Sequence, residues 1–114
     1  MKNNLRLTHY DLMVLTSAAA EGYEQYSSGS HPLGKNEWLA KECETLVLRL
    51  MFSSKKVDCS FIPAFRGYED IELSKNVLNI YFSHCLDISD VERAAAASAL
   101  WVRLANAIDN GEIE

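Results

Sequence analysis

A chain of 114 residues with 48% hydrophobic and 24% charged residues has the size and composition of a single globular domain spanning 1–114, not of a disordered chain. Its net charge of −5 argues against direct nucleic-acid binding, because such binding depends largely on lysine and arginine neutralising phosphates. No run reaches the roughly 18 apolar residues of a membrane span, and no secretory signal is recognised, so we expect a cytoplasmic protein with no membrane partner.

The first predicted helix runs from about His9 to Gln25. Thr8 and Asp11 have the spacing of a capping box, in which each side chain accepts a hydrogen bond from the other residue's backbone N–H. Apolar residues follow at steps of three or four, as on one face of a helix. Gly22 costs about 1 kcal/mol relative to alanine in a helix, so we expect either close approach of another helix or fraying there.

The second predicted helix begins after Asn36, whose side chain can cap it, and ends near Phe52. A polar segment with two lysines follows, which is typical of a helix end. The apolar stripe of this helix consists of Leu39, Cys43, Leu46, Val47 and Leu50.

A first strand is predicted after the second helix. Val57, Cys59 and Phe61 alternate with polar residues, as in a half-buried strand, and Pro63 would end it.

The segment 74–86 fits two kinds of structure. Residues 77–82 are rich in β-branched and aromatic side chains, which favours a second strand. The same segment also shows a helical stripe with Ser74 as a cap, so a helix remains the alternative.

The last predicted helix lies between Ser89 and Gly111. Ser89 and Glu92 have capping-box spacing, and Gly111 suits the left-handed conformation that ends many helices. The order helix, helix, strand, strand, helix predicts a helix-dominated α+β fold with a small antiparallel hairpin packed on helices. An all-α four-helix bundle is the alternative.

Small side chains on the last helix allow another helix to approach closely. We favour an internal helix contact, because a single amphipathic helix in a small domain must first cover its own core. A homodimer interface is the alternative, formed by Ala94, Ala97, Ser98 and Trp101.

The segment after the first strand combines aromatic residues, an arginine and a run of carboxylates. Tyrosine and arginine are enriched at the centres of protein interfaces, and an acidic rim suits a partner protein with a basic or nucleic-acid-binding surface. The alternative is that the aromatic residues are core anchors beneath a loop. The predicted partner site comprises Phe65, Arg66, Tyr68, Glu69, Asp70 and Glu72.

A glycine-rich loop before the second helix has the spacing of a phosphate-binding loop. Asn36 replaces the serine or threonine that would hold magnesium, and Pro32 removes a backbone donor, so nucleotide hydrolysis is not supported. A weaker site for a simple anion remains as a hypothesis at Gly34, Lys35 and Asn36.

The three cysteines form an odd set without C-x-x-C spacing, which indicates reduced thiols. His84 and Cys85 are adjacent, but no paired ligand spacing accompanies them, so we predict no metal and no cofactor. A cysteine nucleophile at Cys59 or Cys85 acting with His84 remains a minor hypothesis.

Taken together, these features predict a non-catalytic protein-binding domain. A small acidic chain without catalytic motifs is similar in character to the single-domain inhibitors, antitoxins and immunity proteins of phages and mobile elements. Two alternatives stay open. One is a small-ligand, nucleotide or anion binder that acts as a homo-oligomer, and the other is a small thiol-dependent or metal-dependent enzyme.

Overall fold

The computed structural model describes residues 2–52 and 55–113, which form four helices and a two-stranded antiparallel hairpin. In chain order these are α1 (His9–Ser28), α2 (Glu37–Phe52), β1 (Lys55–Val57), β2 (Ser60–Ile62), α3 (Tyr68–Asp87) and α4 (Val91–Asn106). The fold is dominated by helices, as the sequence predicts. No helix in the described part of the chain is both long and apolar enough to cross a membrane.

The predicted capping box starts α1. The Asp11 N–H donates to Thr8 Oγ1 at 3.1 Å, and the Thr8 N–H donates to the Asp11 carboxylate at 3.3 Å. The helix continues to Ser28, three residues beyond the predicted end. Gly29 then takes a φ of 83°, and its N–H donates to the Gln25 carbonyl, which closes the last turn.

The predicted bounds of α2 are confirmed. The Asn36 side chain accepts a hydrogen bond from the Leu39 N–H at 3.0 Å and so caps the first turn. Positions three or four apart then point into the core, where Ala40, Cys43, Leu46 and Leu50 are buried.

The predicted second strand is wrong, because residues 77–82 lie in the middle of α3. Strand propensity reflects how side chains pack on a half-buried surface, and tertiary packing readily overrides it. Here the β-branched and aromatic residues fall at helical spacing and pack against α1 and α4. The buried apolar residues of α3 are Ile71, Val77, Leu78, Ile80, Tyr81 and Cys85.

The observed hairpin is shorter than the predicted one and lies wholly within residues 55–62. Lys55 pairs with Ile62, and the connection is made by Asp58 and Cys59, whose φ values are 49° and 65°. Two consecutive residues with positive φ are typical of the tight turns that suit hairpins. Cys59 therefore lies in the turn and not in a strand, whereas β2 ends immediately before the proline, as predicted.

The start of α4 differs from the prediction by one residue. Asp90, not Ser89, caps the helix by accepting the Arg93 N–H at 3.1 Å, while Ser89 takes a φ of 61° in the connection from α3. The helix ends at Asn106. Gly111 has the predicted left-handed conformation, with a φ of 73°, but it lies in the turns that follow the helix.

Helix α1 supports the other three helices. It packs against α2, α3 and α4, while α3 and α4 pack against each other. The closest approach is at Gly22, where a Cβ atom would lie 2.7 Å from Val77 Cγ1 of α3 and 3.2 Å from Cys43 Sγ of α2. Of the two expectations for this glycine, close approach of another helix is the one observed.

Replacing Gly22 with alanine tests this contact. Helix propensity favours alanine by about 1 kcal/mol, whereas overpacking costs roughly 1–3 kcal/mol. Because the new methyl group would clash with a stiff β-branched side chain, we expect the free energy of unfolding in urea to fall by about 1–2 kcal/mol. In a Val77→Ala background the same glycine replacement should no longer destabilise. Wild-type stability of Gly22→Ala alone would contradict the contact.

Candidate protein-binding groove

An open groove separates α2 from α3. Its volume is about 450 Å³, and its surface is mostly apolar. The aromatic side chains are well exposed, with Trp38 70% and Tyr68 47% accessible to solvent. We call this feature the α2–α3 groove, and its lining residues are Trp38, Leu39, Glu42, Tyr68, Glu69, Glu72, Leu73 and Asn76.

The two walls of the groove run in opposite directions. Tyr26 of α1 accepts the Asn36 N–H on its carbonyl oxygen at 2.9 Å and the Asn76 amide on its hydroxyl at 3.0 Å. These bonds place the start of α2 beside the middle of α3. The Arg66 guanidinium lies 3.1 Å from the Glu42 carboxylate, which places the start of α3 beside the middle of α2.

Asp70 fixes the position of α3 against α2. Its side chain is 1% exposed, and its carboxylate lies 2.9 Å from Nη2 of Arg49 on α2. The other carboxylate oxygen accepts the backbone N–H of Arg66 at 2.5 Å, in the residue before Gly67, an N-cap residue without a capping side chain. The sequence places Asp70 on an exposed acidic rim. The structure instead buries it between the helices, where it cannot touch a partner.

The other predicted partner-site residues lie in or beside the groove. Tyr68, Glu69 and Glu72 line it. Phe65 is partly buried against the core, as the alternative reading of this segment expects. Arg66 borders the groove through its ion pair, with 52% of its side chain exposed.

Sequence reasoning missed the α2 wall of the groove, which Trp38, Leu39 and Glu42 supply. A signal for it exists in the sequence. Trp38 lies next to the apolar stripe of α2 and not within it, so the largest apolar side chain of that helix is left without a place in the core.

Negative charge predominates around the groove. Glu42, Glu69 and Glu72 line it, against the nearby cations Arg66 and Lys75. Lys75 pairs with Glu72 at 3.2 Å, but its ammonium also lies 5.5 Å from the ring centre of Trp101 on α4, away from the groove. The groove therefore combines apolar and aromatic surface with a rim that favours cations.

At the predicted anion site, groups of the chain itself already engage one backbone donor and the lysine. Asn36 already occupies the Leu39 N–H in the first turn of α2. Lys35 lies 3.3 Å from the carboxylate of Glu37, which stands at the first helical position. A fixed carboxylate at the helix start repels a second anion, so the geometry at Gly34, Lys35 and Asn36 does not favour this function.

The small residues of α4 mainly serve internal packing. Ala94 and Ala97 are 2% and 0% exposed, so they pack inside the chain and cannot reach a second copy. This corrects their inclusion in a dimer interface. Ser98 is exposed and Trp101 is partly buried, and both line a smaller cleft of about 190 Å³ between α3 and α4.

Two of the three cysteines are poorly placed for nucleophilic chemistry, because they are buried. Cys43 and Cys85 are buried, and burial raises the pKa of the Cys43 thiol to about 11 and also raises the pKa of Cys85. His84 directs Nδ1 towards the Glu21 carboxylate at 3.3 Å. Cys59 is exposed at the hairpin turn. Within residues 2–52 and 55–113, no group of three or more histidine, cysteine or acidic side chains is arranged to hold a metal ion.

Comparison of the sequence with protein-family models, and of the chain with curated proteins and solved structures, finds no match.

Replacing Asp70 with alanine tests its role between the helices. Breaking a buried ion pair by removing one partner costs about 3–5 kcal/mol, and the 20% exposure of Arg49 lets water compensate in part. We expect the free energy of unfolding to fall by about 2–3 kcal/mol in urea denaturation. Glu72→Ala, an exposed carboxylate on the same helix, is the control and should change stability by less than about 0.5 kcal/mol. Equal effects of the two replacements would contradict the assignment.

Thiol labelling tests the burial of the cysteines. In the native protein at pH 8, iodoacetamide should modify Cys59 rapidly, because it is the exposed thiol of the three. Cys43 and Cys85 should react only after unfolding, and mass spectrometry of the labelled peptides distinguishes the sites. The Cys59→Ser variant should show no rapid labelling. Rapid modification of Cys85 in that variant would reopen the thiol-enzyme hypothesis.

Proposed function

We propose that this chain is a non-catalytic protein-binding domain that inhibits or regulates a partner protein through the α2–α3 groove. The observation that carries the proposal is the groove's combination of exposed aromatic surface and a carboxylate rim. Trp38 is 70% exposed beside the half-buried leucines Leu39 and Leu73, with Glu42, Glu69 and Glu72 around them. Such a surface suits a partner that presents apolar side chains within a basic face.

The two kinds of contact have different roles in this proposal. Trp38 and Tyr68 supply most of the affinity, because aromatic side chains bury large areas and dominate interface energetics. The carboxylates of Glu69 and Glu72 are exposed to solvent, so they mainly accelerate association and select a basic partner. A basic or nucleic-acid-binding surface on the partner provides the complementary charge.

Site-specific photo-crosslinking tests where the partner binds. A photoreactive phenylalanine analogue replaces either Trp38 in the groove or Val91, which is 68% exposed at the start of α4. In lysate of the source cells, the analogue at position 38 should crosslink one protein reproducibly, and the analogue at position 91 should not. Equal crosslinking from both positions would contradict binding at the groove.

The crosslinked partner, once purified, allows affinities to be compared. Trp38→Ala should weaken binding by about 2 kcal/mol, or roughly thirtyfold, as expected for an aromatic residue at an interface centre. Val91→Ala is the control of matched exposure and should leave the dissociation constant unchanged. The double replacement Glu69→Lys and Glu72→Lys should slow association and reduce its dependence on salt. A dissociation constant unaffected by Trp38→Ala would exclude the groove as the binding site.

A further inference from the structure

One cationic side chain of the protein itself, that of Arg66, borders the α2–α3 groove and contacts a carboxylate that lines it. The Arg66 guanidinium lies 3.1 Å from the Glu42 carboxylate at the edge of the groove. The Glu42 side chain is 25% exposed, so most of it lies within the groove wall. Among the described residues, Arg66 is the ion-pair partner of Glu42. This carboxylate is therefore placed to receive a guanidinium from the groove side.

Arg66 is not needed to neutralise Asp70. Asp70 has Arg49 at 2.9 Å and the Arg66 backbone N–H at 2.5 Å, whereas the Arg66 guanidinium is 3.8 Å away. Any residue except proline at position 66 keeps that backbone donor. The charged end of Arg66 can thus leave without exposing a buried unpaired charge.

From this arrangement we infer that the groove recognises an arginine side chain of the partner, which replaces the Arg66 guanidinium at Glu42. The inference rests on the proposed function and specifies its ligand chemistry. The apolar stem of an incoming arginine would lie along the leucine and aromatic surface of the groove, and its planar guanidinium suits both a carboxylate and an aromatic face. A lysine ammonium lacks the planar fork and is more strongly hydrated.

The direction in which removal of Arg66 changes the binding affinity distinguishes this mechanism from direct contact with the partner. If Arg66 itself touched the partner, its removal would weaken binding. If Arg66 competes with the partner's arginine, its removal strengthens binding. The expected gain is about two- to fivefold, the range that a half-exposed ion pair contributes.

A set of short peptides serves as the probe. Each capped peptide carries two leucines around one central residue, which is arginine, lysine or citrulline, the last being a neutral analogue of arginine with nearly the same shape. Binding is followed by the NMR shift of the Trp38 indole N–H, with the Trp101 indole N–H as an internal reference. The arginine peptide should bind several-fold more tightly than the lysine peptide and at least fivefold more tightly than the citrulline peptide.

A double-mutant cycle then tests the competition at Glu42. Arg66→Gln should strengthen binding of the arginine peptide about two- to fivefold and leave the citrulline peptide unaffected. Glu42→Gln should remove the preference for arginine, and in that background Arg66→Gln should have no further effect. The fold of each variant is checked by its unchanged Trp101 indole shift.

Several results would overturn the inference. One is that the Arg66→Gln variant binds the arginine peptide more weakly than the wild type does. Another is that the arginine and citrulline peptides bind with equal affinity. A third is that no peptide produces a saturable shift of the Trp38 indole N–H. Crosslinking from position 38 and the effect of Trp38→Ala are independent of these measurements. Their success together with any of the results above would retain the groove as a protein-binding site and reject only arginine recognition.

Discussion

The arrangement of the molecule depends on one close contact at Gly22. Because this residue has no side chain, Val77 of α3 and Cys43 of α2 both come against the backbone of α1 at the same level of the helix. Helices α2 and α3, which form the two walls of the groove, therefore both pack against α1. They contact α1 extensively and each other only slightly, and the space between them is the groove.

A second constraint fixes how α2 and α3 face each other across that space. A carboxylate is costly to bury, and the charge of Asp70 is compensated by Arg49 and by a backbone N–H. Removing one partner would leave a buried charge uncompensated, so the two side chains hold α2 and α3 together at this point. The pair joins α2 to the first turn of α3. Asp70 also accepts the Arg66 N–H and so positions the residue whose guanidinium contacts Glu42.

The sequence predicted the structure best where a residue acts on its near neighbours in the chain. The capping residues Thr8 and Asn36 mark the starts of α1 and α2, because a side chain that satisfies a free backbone N–H acts within a few residues of chain. In α3 the local signal was weak. Its N-cap is Gly67, which carries no side chain, and the residue that holds the start of the helix is Asp70, whose role depends on Arg49, which is 21 positions away in sequence.

The remaining differences have similar causes. The hairpin turn uses Asp58 and Cys59 with positive φ. Aspartate is common in such turns but cysteine is not, so the turn signal in the sequence is incomplete. Half of the groove could be predicted, because Tyr68, Glu69 and Glu72 are close together in sequence. The other half required knowing that α2 runs antiparallel beside α3. That arrangement follows from the bonds that Tyr26 makes to both helices, which no local pattern encodes.

The aromatic and acidic side chains of the groove lie outside the apolar core, whereas its leucines Leu39 and Leu73 also pack against that core. The apolar cluster that unites the four helices is complete without the aromatic side chains of Trp38 and Tyr68 or the carboxylates around them. Exposing a large indole costs solvation free energy that its burial in the core would recover, so folding does not account for the position of Trp38. In the proposed function, a partner removes the same area from water on association. The carboxylates also divide between the interior of the fold and the groove. Asp70 is neutralised inside the fold, whereas Glu69 has no ion pair among the described residues, which leaves its charge available to a basic partner.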